Sequence, residues 1–167
     1  MATRFDPDRQ HRRSIRFRKY DYSRAGFYYF TGCIEGRECL LGRVSGSEVL
    51  LSPHGRTVAD AWADLPKHYP HARLDAFVVM PNHVHGVIEL IPLEPAASRR
   101  HPFSEILRAF KTFSARRINR RRGTPGAHVW QRDFFERIVR DQAELEAIRR
   151  YIAQNPANWD EDPENES

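Results

Sequence analysis

His83 and His85 stand one residue apart in the stretch FVVMPNHVHGVIEL. On an extended strand side chains alternate between faces, so these two imidazoles project to the same side and can reach one metal ion or phosphate. Far along the chain, Tyr151 and Asn155 lie four residues apart in RRYIAQNP, a spacing that stacks them on one face of a helix. A tyrosine hydroxyl can attack phosphorus and form a covalent phosphotyrosine. A metal held by the histidines would polarise the phosphodiester and offset the charge that develops in displacement. An oxygen from Asn155 or from Gln154 could complete the coordination. Each piece has a plainer reading: two polar residues on a half-solvated strand, and a core aromatic with its hydroxyl at the surface. Together they point to metal-assisted phosphoryl transfer.

The charge distribution indicates the partner. The chain carries a formal net charge of +5 over 167 residues, and five carboxylates (Asp160, Glu161, Asp162, Glu164 and Glu166) crowd its end, so residues 1–159 carry +10. The excess falls in two blocks. The first includes Arg12, Arg13, Arg16, Arg18 and Lys19; the second includes Arg108, Lys111, Arg116, Arg117, Arg120, Arg121 and Arg122, with Glu105 as its one acidic residue. Arginine forks match phosphate oxygens, so these blocks are read as DNA-binding surfaces rather than a merely solvated basic coat. No apolar run reaches the length of a membrane span and no signal-peptide core opens the chain, which fits a cytoplasmic protein. The two cysteines, Cys33 and Cys39, are expected to be reduced thiols, and without a CxxC pair they make no zinc site. The glycine-rich phosphate-binding loop of nucleotide-dependent enzymes is absent.

The elements that must position these residues follow from pattern. GFYYFTGCI reads as a first strand with aromatics on both faces, and LLGRVSGSEVLLS as a short hairpin. Ser52-Pro53 opens a helix in which Val58, Trp62 and Leu65 recur at helical spacing. Two strands joined at Pro81-Asn82 carry the histidines, with Val84, Ile88 and Leu90 on the core face. A proline-broken loop precedes an amphipathic helix with Ile106, Phe110, Phe113 and Ile118 inward and arginines outward. RRRGTPGAHVW reads as a basic turn and FFERIVR as the last strand. Asp141 and Glu144 start a helix whose buried stripe is Leu145, Ile148 and Ile152. Antiparallel strands broken by helices in this order make an α+β fold, a ferredoxin-like sandwich with the tyrosine on its C-terminal helix. The expected organisation is a mobile basic arm over residues 1–25, a catalytic domain over 26–159 and a disordered acidic tail over 160–167.

The pieces RSIRFRKYDYSRAGFYYFT, GRECLLG, FVVMPNHVHGVIEL, FKTFSARRINRRRGTPGAHVWQRDFFERIVR and IRRYIAQNP, in order over about residues 14–159, resemble the single-tyrosine HUH transposases and, within them, the REP-associated tyrosine transposases. The resemblance implies that His83 and His85 bind the metal, that Tyr151 is the nucleophile and that Asn155 is a third ligand. It implies cleavage and rejoining of single-stranded DNA near imperfect hairpins, leaving a 5′-phosphotyrosine and a free 3′-hydroxyl. Imidazoles alone suit zinc or manganese; the resemblance implies Mg²⁺ or Mn²⁺, with phosphate oxygens as the missing hard ligands. It leaves monomer or homodimer open. Two positions depart from the family pattern. Phe134-Phe135 stand where relatives often have tyrosines, and Arg137 where they often have histidine. Two other classes compete: a hairpin-binding protein that does not cut, and a histidine-metal hydrolase. Against the hydrolase, no Asp or His follows His85 at close spacing.

Overall fold

The computed structural model describes residues 20–93 and 100–165. Strand β1 (Gly26–Cys33) is followed by a hairpin of β2 (Gly42–Ser45) and β3 (Glu48–Leu51), then helices α1 (Pro53–Ala63) and α2 (Leu65–His68). Strands β4 (Ala72–Val79) and β5 (His83–Leu90), the long helix α3 (Phe103–Arg122), strand β6 (Phe135–Ile138) and helix α4 (Gln142–Gln154) complete the domain, with a short 3₁₀ segment, Pro156–Glu161, after it. Four strands form one antiparallel sheet in the order β4-β5-β1-β6, and β2 pairs with β3 alone. This is the ferredoxin-like α+β architecture expected from the strand order.

Both faces of the sheet are covered. Tyr28 and Phe30 of β1 and Val84, Ile88 and Leu90 of β5 pack with Trp62 of α1 and Phe103, Ile106 and Phe110 of α3. Tyr29 and Val87 point the other way, against Leu145, Ile148 and Ile152 of α4. The alternation on β5 is therefore the one read from sequence, but the histidine face is buried under α4 rather than half-solvated. On β4 a register shift between Leu74 and Phe77 breaks the alternation, so that both side chains reach the larger core although they are three residues apart. Such a bulge re-aims the residues within it. Asp75, inside the shift, takes a bidentate pair from Arg149 of α4, with Nε at 2.9 Å and Nη2 at 2.6 Å.

That ion pair makes stability depend on pH. The Arg149 guanidinium holds the Asp75 carboxyl below its ordinary value. A depressed carboxyl contributes stability above its unfolded-state pKa, about 3.9, and loses it as pH falls through the folded value. Asp75→Asn is accordingly expected to lower stability by less than about 1 kcal/mol at neutral pH. The gap from the wild type should close as urea unfolding is repeated below pH 4.

The turn before β5 is pinned from two sides. Ile34 N–H donates to Asn82 O at 2.8 Å, and Leu41 N–H to Pro81 O at 2.9 Å. Leu41 is in turn held by α1: Ser52 N–H donates to its carbonyl at 2.9 Å, and the Ser52 hydroxyl caps α1 by accepting from Gly55 N–H. A Cβ on Gly55 would lie 2.0 Å from Leu41 O, a backbone atom with nowhere to go. Gly55→Ala is expected to cost about 1–3 kcal/mol, read as a lower urea midpoint, because it forces α1 off the segment that fixes the histidine turn.

Several boundaries differ from the sequence reading. Helix α3 runs through Arg122 and stops at Gly123, whose φ of 67° suits glycine, so Arg120, Arg121 and Arg122 form a helical turn. Phe113 is exposed, beside His68, rather than in the core. Residues 20–25 belong to the folded domain rather than to an arm: the Tyr22 ring lies tilted against Tyr28, and its carbonyl accepts from Phe103 N–H at 3.0 Å. The expected disordered tail is also corrected over residues 160–165. Asp162 and Glu164 are buried there, because the chain turns back onto the sheet after α4. Arg12, Arg13, Arg16, Arg18 and Lys19 lie outside the described residues.

Candidate active site

His83 and His85 open β5 and are essentially inaccessible, at 0% and 1% exposure. Their rings lie 4.7 Å apart, each oriented by a hydrogen bond through Nδ1. His83 Nδ1 donates to Asn82 Oδ1 at 2.8 Å. His85 Nδ1 meets Thr31 Oγ1 at 2.8 Å and the Tyr29 hydroxyl at 2.9 Å, both from the neighbouring strand β1. For His83 the amide oxygen accepts the Nδ1 proton, which leaves Nε2 with the lone pair, the arrangement found where histidines ligate metals.

Helix α4 brings Tyr151 onto this pair. Its ring centroid is 5.2 Å from that of His85, edge to face. Asn155, one turn later at the C-cap, is 3% exposed, and its Oδ1 accepts no hydrogen bond among the described residues. A buried amide oxygen in that state is costly unless something such as a cation satisfies it. Gln154 is exposed, which leaves Asn155 as the amide that can serve.

The segment after α4 adds what the sequence reading missed. Trp159 stacks on the His83 ring at 6.1 Å, and Asp162 Oδ2 lies 3.6 Å from His83 Nε2. Donor atoms of His83, His85 and Asp162 all fall within 4.8 Å of one another. Two ligand bonds of about 2.1 Å at a tetrahedral angle hold their donors about 3.4 Å apart, so the spacing accommodates a divalent ion. Asp162 was hidden because it lies 77 residues beyond His85 in an acidic run. Asn82, Tyr29 and Thr31 were also missed; the polar turn residue of PNHVH and the alternation of β1 were the signals that could have found them.

Burial and the neighbouring Tyr151 push the Tyr29 hydroxyl above its ordinary range, so it stays a proton-bearing partner of His85. Phe134 stacks on Phe30 at 5.8 Å, while Phe135 packs edge-on to Tyr29, so the two phenylalanines serve opposite faces of the sheet. Arg137 is ion-paired with Glu144 of α4.

The second basic block divides in two. Arg108, Arg116, Arg120, Arg121 and Arg122 are exposed. Lys111 instead donates to the carbonyls of Gln131 and Arg132, at 2.9 and 2.7 Å, beneath the Phe134 ring. Arg117 donates to Asp64 Oδ2 at 2.8 Å. These two cations make contacts within the fold, whereas the five exposed arginines are turned to solvent.

The family model "Transposase IS200 like" matches residues 56–155, a span containing both histidines, Tyr151 and Asn155. The chain belongs to the IS200-like transposase family. A Haemophilus influenzae protein that is uncharacterized is 34% identical over 177 residues, covering 97% of each chain. A second Haemophilus influenzae protein, assigned as a REP-associated tyrosine transposase, is 22% identical over 142 residues, covering 81% of this chain and 73% of its own. Among solved structures, a REP-associated tyrosine transposase bound to a REP hairpin superposes with a TM-score of 0.62 at 22% identity, covering 86% of this chain and 73% of that one. A protein from Deinococcus radiodurans assigned as a transposase gives 0.51 at 19% identity, over 82% and 94%. At these identities the two structures establish the shared fold. Like them, this IS200-like transposase packs helices on an antiparallel sheet. None of its helices, among the described residues, is long and apolar enough to cross a membrane.

Proposed function

We propose that this IS200-like transposase cleaves and rejoins single-stranded DNA at hairpin sequences through a 5′-phosphotyrosine on Tyr151. The observation that carries the reading is the meeting of Tyr151 with the histidine pair, ring to ring at 5.2 Å across the α4 interface. His83 and His85, with Asn155, would hold Mg²⁺ or Mn²⁺. The ion, when bound, supplies a Lewis acid for the scissile phosphate. Tyr151 Oη attacks phosphorus, the Tyr–O–P bond forms as the P–O3′ bond breaks, and the proton balance closes with one lost from the phenol and one taken up by the 3′-oxygen. The reaction exchanges one phosphodiester for another, so rejoining is its reverse and needs no nucleotide. Asn82 holds the His83 proton on Nδ1, and Thr31 and Tyr29 hold the His85 ring in place.

The test is incubation with a panel of labelled hairpin oligonucleotides and Mn²⁺, scored for a covalent adduct by denaturing electrophoresis and mapped by mass spectrometry. An adduct on Tyr151 supports the reading. Tight hairpin binding without adduct on any substrate would replace it with that of a binding protein that does not cut.

The exposed arginines of α3 and the basic residues 12–19 are proposed to hold the DNA backbone. Each phosphate contact on a single strand contributes about 0.7 to the slope of log affinity against log salt. Arg116→Ala, Arg120→Ala and Arg121→Ala combined should flatten that slope by about 2. Arg117→Ala, whose partner is Asp64, should lower stability and leave the slope unchanged.

A further inference from the structure

We infer that the segment after α4 is part of the metal centre: Asp162 is a ligand, delivered to the histidines by a latch of Arg37, Asn82 and Glu164. This rests on the metal-dependent reading above and adds an anionic ligand to it.

The latch is built from three places in the chain. Glu164 is 4% exposed, and its carboxylate is ion-paired with the Arg37 guanidinium. The Cys33 thiol also donates to that carboxylate, at 3.4 Å, and burial with the neighbouring Glu164 pushes the thiol up to about 12, so it keeps its proton. The Glu164 carbonyl accepts from Asn82 Nδ2 at 2.7 Å, and its N–H donates to Asp162 Oδ1 at 2.8 Å. Asn82 thus does two things at once. Its Oδ1 fixes the proton of His83, and its Nδ2 fixes the segment that carries Asp162.

Arg37 has a positive φ of 55°, a conformation that side chains other than glycine adopt at a cost. Its carbonyl also accepts from Asn82 Nδ2, at 3.3 Å. The GRECLLG stretch supplies Arg37 and is otherwise remote from chemistry. Through Arg37 it anchors a carboxylate beside the histidine pair.

The consequence is a change in the kind of ion preferred. Two imidazoles and an amide make a neutral, nitrogen-rich set. Asp162 adds a charged hard oxygen and, with Asn155, balances oxygen against nitrogen, which favours Mn²⁺ and lets Mg²⁺ compete. The 3.6 Å between His83 Nε2 and Asp162 Oδ2 exceeds hydrogen-bond range and suits two ligands of one ion. The same carboxylate accepts from Glu164 N–H on Oδ1, and Oδ2 is the oxygen turned toward His83 Nε2.

The experiment is Mn²⁺ binding by the full chain, followed by the loss of the free-ion electron paramagnetic resonance signal, with no DNA present. Thermal unfolding of each metal-free variant reports whether it folds. Asp162→Asn, which keeps the shape and removes the charge, should weaken binding at least about tenfold. Glu164→Gln and Arg37→Ala replace no ligand and should weaken it severalfold, with Arg37→Lys restoring part of the loss. Unchanged affinity in Asp162→Asn, with binding lost in His83→Ala, would overturn the inference while leaving the histidine site standing. A loss in Asp162→Asn alone, with both latch variants folded and unaffected, would overturn the latch. Should the wild type bind no Mn²⁺, the metal-dependent reading falls and this inference with it.

Discussion

Replacing Tyr151 with phenylalanine is expected to abolish the covalent protein–DNA adduct, a loss of at least about a thousandfold in cleavage, because no other group can take over the bond to phosphorus. Hairpin affinity should stay within about twofold, since the substitution removes one oxygen and no charge. The ring that packs against His85 is retained, so the α4 interface keeps its shape. Denaturing electrophoresis reads the adduct and a filter or anisotropy titration reads the binding. Transfer of the adduct to another tyrosine would sink the assignment. The structure argues against the two on β1, the strand paired with the site strand: the Tyr29 hydroxyl is bound to His85 and Thr31, and the Tyr28 hydroxyl donates to Arg24 O at 2.7 Å.

The histidines should show the second large effect. His83→Ala and His85→Ala are each expected to remove cleavage and to weaken Mn²⁺ binding by two orders of magnitude or more, roughly the weight of a lost direct ligand against the 10–100-fold of an outer one. Each variant also strands a partner: without His83 the buried Asn82 Oδ1 loses its donor, at a cost of about 1–3 kcal/mol. Loss of metal binding with a normal unfolding midpoint would therefore be a surprise for His83. Stripping the wild-type protein with a chelator should stop cleavage reversibly without that stability penalty. Cleavage that survives thorough chelation would remove the metal from the mechanism.

The elements of this fold were legible because their signals are local. Ser52-Pro53 and Asp141 set helix starts, and the alternation of β5 fixes which side chains share a face with His83. Tyr151 and Asn155 were legible for the same reason. The side chains that surround the histidines were not, because they arrive from β1 and from beyond α4, joined to β5 only by tertiary folding. Charge was legible in amount but not in use: Lys111 and Arg117 look like their basic neighbours in sequence and differ only in meeting a carbonyl pair and Asp64. The acidic end misled for a similar reason. A run of carboxylates reads as solvated unless one knows that Arg37 and the histidine turn await them.

The two faces of the sheet are unequal in what they hold. Among the described residues, twenty-one buried side chains form the core beneath α1 and α3, whereas five form the one beneath α4. Detaching α4 would open the smaller core and break the Asp75–Arg149 and Arg137–Glu144 ion pairs, leaving the larger core covered. The helix that carries Tyr151 thus packs on the smaller of the two cores. Contact between the Tyr151 ring and the imidazoles therefore depends on the five-residue core and the two ion pairs that dock α4.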